Sequence, residues 1–240
     1  MKRVLIKLSG EALQGPDVSE HYIDPDFATS IVSQLVQLQR AGIEVVVVVG
    51  GGNICRGRAL MRDGFSKLAS DNIGMLATMM NAIFMQDLIA KNAAPARAMS
   101  ALPMGGLIEA YTPSRANECL ASGELLVLGG GVGNPIFTTD TAACLRAIEL
   151  NADCVVKCTM VDGVYDSDPK HNPKAKKIAN PTYQEVIELG LAVMDASAFV
   201  LASEHEVPIY VCDIFSHNVL VDLILNQREL GSLIGKEKIR

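Results

Sequence analysis

Short apolar runs and longer periodic stretches take turns along this chain. Residues 4–6, 43–49, 97–101, 125–128, 153–158 and 208–212 read as strands, and the last of these is expected to be the final one. The five consecutive valines at 45–49 show no polar alternation, as a strand covered on both faces of a parallel sheet requires. Between the strands the period changes to that of helices. Asp24 and Pro25 supply a cap and a first-turn proline, Ile31, Leu35 and Leu38 keep helical spacing, and Ala41-Gly42 ends the run. Ser70 is expected to cap a long helix whose Met75, Met79, Met80 and Met85 read as core packing. Further helices are predicted at 113–121 and 139–150. Thr182 and Glu185 form a capping box, and Asp195 is expected to cap the helix that follows it.

This alternation predicts an α/β fold, a three-layer αβα sandwich around a mainly parallel sheet. The texture changes after residue 158, and the best lobe boundary lies near residues 150–155, dividing the continuous fold into lobes at 1–152 and 153–240. Residues 162–177 are polar and include Asp166-Ser167-Asp168-Pro169 and Asn172-Pro173, so they read as a surface excursion of the kind that often carries function.

Composition narrows the possible partners. With 240 residues, 49% of them hydrophobic, the chain can bury a large core. A net charge of -6 argues against nucleic acid or an anionic membrane as main partner, so the cations that matter are expected to be local. No stretch reads as a membrane span of roughly 20 apolar residues, and Met1-Lys2-Arg3 runs straight into a strand, so a cytoplasmic location is expected. Cys55, Cys119, Cys144, Cys154, Cys158 and Cys212 form no C-x-x-C pair and read as thiols, with Cys154 and Cys158 on one strand face. His21, His171, His205 and His217 are scattered, which argues against a zinc site.

The candidate chemistry lies in three glycine loops, each placed directly after a strand. They are Lys7-Leu8-Ser9-Gly10, Gly50-Gly51-Gly52-Asn53 and Gly129-Gly130-Gly131-Val132-Gly133-Asn134. Loops at the carboxyl edge of a parallel sheet can present backbone amides to polyphosphate. None carries G-x-x-x-x-G-K-[ST] or G-x-G-x-x-G in the required context, which removes the two commonest phosphate folds. Lys7 is placed to bridge donor phosphates, its alternative being an edge lysine that snorkels to solvent. Arg56 offers a planar fork for an acceptor phosphate. Thr138, Thr139 and Asp140 open a helix whose free amides face the third loop. Asp140 is either a simple first-turn acid or a carboxylate that holds a lysine or Mg²⁺. Lys157 ends a buried strand and is expected to face phosphate and an acid such as Asp195.

Lys7 to Leu13, Gly50 to Asn53 with Arg56-Gly57, Gly133-Asn134-Pro135 with Phe137 to Asp140, Val161 to Tyr165, and Val193 to Ala196 stand in the order and spacing of the bacterial UMP kinases. From residue 3 to about residue 235 the chain resembles that family, part of the amino-acid kinase superfamily. The resemblance implies γ-phosphoryl transfer from Mg²⁺-bound ATP to UMP, giving UDP and ADP in pyrimidine nucleotide biosynthesis. It implies that Lys7, Lys157, Asp140 and Asp195 are catalytic, with Asp195 organising the two lysines. Lys7, Leu8, Ser9, Gly10, Gly52, Arg56, Thr159, Tyr165 and Asp168 would bind ATP. Gly51, Arg56, Asp71, Val132, Gly133, Asn134, Pro135, Ile136, Phe137, Thr138 and Thr139 would bind UMP, with Asp71 at the ribose; an ordinary helix-start acid is the other reading of Asp71. No direct protein ligand to a metal is expected, Asp140 being the one candidate.

Two positions depart from the family pattern: Val132 replaces a common threonine and Met160 a usual lysine. The resemblance also implies a homohexamer inhibited by UTP. Activation by GTP is not expected, because Gln86, Ala90 and Glu124 stand where the activated enzymes place basic residues, leaving Arg97. Two other readings are a kinase of small carboxylates or carbamates from the same superfamily, which should lack the Gly-Asn-Pro to Thr-Thr-Asp segment with Arg56 and Asp71, and a non-catalytic nucleotide-binding or storage relative, which would be favoured by loss of Lys7 or Asp195.

Overall fold

The computed structural model describes residues 1–16, 22–169, 171–191 and 193–236, so His21 lies outside the described residues. Strands β1 (Arg3–Leu8), β2 (Glu44–Val49), β3 (Ala96–Ser100), β4 (Glu109–Ala110), β5 (Leu125–Gly129), β6 (Cys154–Thr159), β9 (Ile209–Asp213) and β10 (Ser232–Ile234) form one sheet among these residues. Its order is β10-β9-β6-β1-β2-β5-β3-β4, parallel throughout except for antiparallel β10 at one edge. The sheet runs unbroken across residues 150–155, because β1 pairs with β2 on one side and with β6 on the other. A short hairpin of β7 (Val164–Tyr165) and β8 (Lys177–Ile178) stands apart.

Helices cover both faces, as the valine run of β2 requires. One layer contains α1 (Pro25–Arg40), α3 (Lys67–Lys91) and α8 (Val219–Ile224), packed on Ile6, Val45, Val47 and Val156. The other contains α4 (Pro113–Ala121), α5 (Thr139–Glu149), α6 (Tyr183–Glu188) and α7 (Ala196–Glu204), packed on Leu5, Val46, Leu126 and Val155. A short helix, α2 (Gly57–Arg62), has no residue in either core.

Most of the local signals act where they were read. Asp24 caps α1 by accepting from the amides of Asp26 and Phe27, and the Thr182–Glu185 capping box opens α6. Five expectations need correction. Met75, Met79 and Met85 pack in the core as read, but Met80 is exposed on α3. α3 begins one turn before Ser70 and is capped by Ser66, whose hydroxyl accepts from the Ala69 amide, while Ser70 is fully buried inside the helix. β10 follows the strand read as the last; three residues on an edge give too little pattern to detect. Residues 162–177 are not a plain excursion, since β7 and β8 tie their ends together. Finally, α3 has the length and apolarity of a membrane helix although polar residues such as Asp71 and Asn81 interrupt its sequence, and 44% of its most apolar window is buried inside the protein. The six cysteines are all free, and Cys158 and Cys212 lie opposite each other across β6 and β9.

Candidate active site

Strand pairing builds the centre of the site. Lys7 of β1 lies directly across from Lys157 of β6, so both side chains leave the same face of the sheet near its carboxyl edge. On that face α5 begins. Thr138 caps it, accepting from the amides of Asp140 and Thr141, and this places the Asp140 carboxylate between the two lysines. Asp140 Oδ1 is 2.9 Å from Lys7 Nζ and Oδ2 is 2.7 Å from Lys157 Nζ; Lys157 also donates to the Val193 carbonyl.

All three charges are removed from bulk water, with Lys7 and Lys157 8% and 9% exposed. Burial alone would raise the Asp140 pKa, but the neighbouring Lys7 and Lys157 ammonium charges outweigh it and hold the carboxyl below its ordinary value. Burial pushes Lys157 down, and the attraction of Asp140 offsets only part of that. The trio therefore carries net positive charge, kept in place by one carboxylate.

Asp195 takes a different position from the one expected. It occupies the cap position of α7, yet its carboxylate makes no capping hydrogen bond. Instead it accepts from the Thr138 hydroxyl at 2.7 Å and from the Thr141 hydroxyl. Asp140, not Asp195, holds the lysines, because the first turn of α5 lies over the β1–β6 pair. Asp195 joins the start of α7 to the start of α5.

A cavity of about 1050 Å³ opens on one side of the trio. Gly51, Gly52, Arg56, Asp71, Gly131, Ile136, Phe137, Thr138 and Thr139 contribute to its wall. Arg56 Nε lies 2.9 Å from Glu11 Oε1. Asp71 accepts from Lys67 Nζ at 2.6 Å and from the Ile136 amide at 2.7 Å, which ties α3 to the third glycine loop. Val132, Gly133, Asn134 and Pro135 belong to that loop but do not line the cavity. Sequence reasoning missed Glu11, Arg58, Arg62 and Lys67 on this wall. The available signal was the spacing of Arg58 and Arg62, four residues apart and so on one helical face.

A second cavity, of about 500 Å³, includes Lys157, Thr159, Tyr165, Asp168, Leu191 and Val193 in its wall. Of the residues assigned to ATP it gathers Thr159, Tyr165 and Asp168, whereas Gly52 and Arg56 line the first cavity and Lys7, Leu8, Ser9 and Gly10 line neither. The Tyr165 hydroxyl donates to Asp162 at 2.6 Å. Met160 is not part of this wall.

The glycines serve backbone packing as well as anion approach. A Cβ on Gly10 would lie 2.6 Å from the Gly52 nitrogen and 2.9 Å from the Gly50 oxygen, so the first two loops touch main chain to main chain. Ser9 accepts from the Ala12 amide, and the Leu8 side chain is buried in the core on the sheet face opposite Lys7, so only the Leu8 backbone is available to a nucleotide. Helix α3 anchors the other loops. Asn81 donates to the Gly50 carbonyl at 2.7 Å and exchanges hydrogen bonds with Asn53, while Thr78 accepts from the Gly130 amide at 2.8 Å.

Comparison with known proteins agrees with this arrangement. Residues 2–213 match the model of the amino acid kinase family. Over 234 residues the chain is 44% identical to a uridylate kinase of Legionella pneumophila, covering 98% of this chain and 94% of that protein. A uridylate kinase of Alcanivorax borkumensis is 45% identical over 97% of this chain and 91% of its own length. Among solved structures, UMP kinase from Bacillus anthracis superposes with a TM-score of 0.93 at 35% identity, covering 98% of this chain and 96% of that one. The chain belongs to the amino acid kinase family, and within it to the uridylate kinases.

Proposed function

We propose that this protein transfers the γ-phosphoryl group of ATP to UMP, giving UDP and ADP. The observation that carries the reading is the buried Lys7–Asp140–Lys157 trio: the larger cavity reaches Thr138 and Thr139, next to Asp140, and the smaller reaches Lys157. Two anions meeting there face lysines whose charges can offset those of the transferring oxygens. An oxygen of the UMP phosphate bonds to the γ-phosphorus as the bond to the β,γ-bridging oxygen breaks, and ADP leaves with that electron pair. No protein nucleophile is required.

In this reading residues 1–152 hold the acceptor, with Arg56 on its phosphate and Asp71 at the ribose, and residues 153–240 hold the donor. Mg²⁺ enters with ATP and screens the phosphate charge. Both Asp140 oxygens already face lysines, and among the described residues no cluster of three or more His, Cys, Asp or Glu is placed to hold a metal.

An acceptor screen with UMP, CMP, aspartate and acetylglutamate tests the reading, and turnover of UMP well above both acids is expected. In the same assay Arg56→Ala should raise KM for UMP far more than KM for ATP. Loss of a charge-assisted fork costs about 1.5–3 kcal/mol, or roughly 10- to 150-fold. An equal rise in both would show that the donor and acceptor sides are wrongly assigned.

Assembly and regulation belong to the same proposal. Ile73, Leu76, Met80 and Ile83 are exposed on α3 at alternating spacings of three and four, a stripe suited to pairing with another copy of the helix, and this supports a hexamer. A UTP molecule in the acceptor cavity would compete with UMP. Arg97, the basic residue left for a GTP site, is bound by Glu124 at 3.0 Å and lies 3.5 Å from Glu109. Sedimentation should therefore give a six-chain mass, and initial rates should show UTP inhibition relieved by UMP with no several-fold rise on adding GTP. A monomer, UTP inhibition indifferent to UMP, or strong GTP activation would each overturn its part. A cytoplasmic location fits these substrates; fractionation of cells with detection of the protein tests it, and recovery in the membrane fraction would refute it.

A further inference from the structure

The acceptor cavity holds more positive charge than its chemistry needs. Arg56, Arg58, Arg62 and Lys67 line it against the acids Glu11 and Asp71, in a chain whose overall charge is -6. Arg56 is engaged by Glu11 and Lys67 by Asp71. No ion pair or hydrogen bond occupies the Arg58 or Arg62 side chains among the described residues. Both are exposed and stand one turn apart on α2, so their charges add on the same stretch of wall.

We propose that Arg58 and Arg62 form an anion-capture station on the wall of the acceptor cavity, drawing in the nucleoside monophosphate dianion ahead of its seating at Arg56. The inference rests on reading this cavity as the acceptor site. A cleft lined by one sign of charge focuses the field and raises the encounter rate of an oppositely charged ligand, whereas groups that clamp the bound ligand mainly slow its escape. Arg56 is tied to Glu11, whereas Arg58 and Arg62 remain available to the incoming phosphate. The field of a negatively charged protein would otherwise repel the acceptor, and these two residues reverse it locally.

Stopped-flow binding of UMP at low and high salt, with wild type and Arg58→Gln/Arg62→Gln, tests the station. The expected result is an association rate about tenfold lower in the double variant at low salt, with the two proteins converging at high salt and dissociation rates within about twofold. The Arg58→Lys/Arg62→Lys protein should keep most of the wild-type rate, because capture needs charge rather than a planar fork. Equal association rates for wild type and the glutamine variant at low salt would overturn the inference, as would a lysine variant as slow as the glutamine one. Failure of wild type itself to bind UMP would overturn the acceptor assignment first, a result distinct from either of these.

Discussion

Asp140→Asn should lower kcat about 10²- to 10³-fold, the scale of loss when a preorganised electrostatic contact to the transferring group is removed. The argument is local. Without the carboxylate, Lys7 and Lys157 repel each other at the same strand register, and the buried Lys157, whose proton affinity burial already weakens, gives up its charge more readily. Breaking a buried pair from one side costs about 3–5 kcal/mol, an upper range here because neutral Lys157 relieves part of the cost. The pH dependence follows from the sign of the shift. The folded Asp140 pKa is depressed, so the unfolded chain binds more protons, and the stabilisation is full above the unfolded value of about 4. It is lost as pH falls through the lower folded value. Urea titrations should thus show a shallower loss of stability in the variant than in wild type below about pH 4. A kcat within tenfold of wild type would remove Asp140 from the mechanism.

Gly10→Ala should damage folding and turnover together. The added methyl group would press on the Gly52 nitrogen and Gly50 oxygen, which are backbone atoms and cannot rotate away. Overpacking of this kind costs about 1–3 kcal/mol, which lowers Tm by about 5 °C in a chain of this length. Separating the first two loops also misplaces the amides beside Lys7, so the effect on kcat should exceed what the unfolded fraction explains. Gly74→Ala is the control of opposite sign. A Cβ there meets nothing within 4 Å, the residue is helical, and replacing a helical glycine stabilises by up to about 1 kcal/mol. Calorimetry of both proteins checks the pair, and an unchanged Tm in Gly10→Ala would refute the packing argument.

The contrast between Asp140 and Asp195 shows what the sequence could carry. Caps, first-turn prolines and the valine run are local signals, and they placed α1, β2, α4 and α6 within a residue or two. The two carboxylates look alike locally, since each stands at the start of a helix. Which one meets the lysines depends on which helix lies over the β1–β6 pair, a tertiary fact. Helix α2 stayed hidden for another reason: it is six residues long, has no side-chain cap and buries nothing, so neither periodicity nor capping marks it. With it were missed Arg58 and Arg62. Ser66 and Ser70 are equally plausible caps by type, and only the packing of α3 separates them. The glycine loops were legible as loops at the carboxyl edge of the sheet, while their direct contact with one another and with Asn81 and Thr78 was not.

The pairing of Lys7 with Lys157 also limits how the sheet can misassemble. Adjacent side chains on a strand point to opposite faces, so a one-residue slip of β1 would drive Lys7 into the buried apolar layer now filled by Ile6 and Leu8. A slip of two would keep the face but withdraw the ammonium from Asp140. In β1, apolar apart from Arg3 and Lys7, two charges define the frame: Arg3 meets Glu44 of β2 at 2.7 Å and Lys7 meets Asp140 at 2.9 Å. Lys7, which would handle phosphate, therefore shares with Arg3 the task of disfavouring alternative alignments of β1 before any nucleotide is bound.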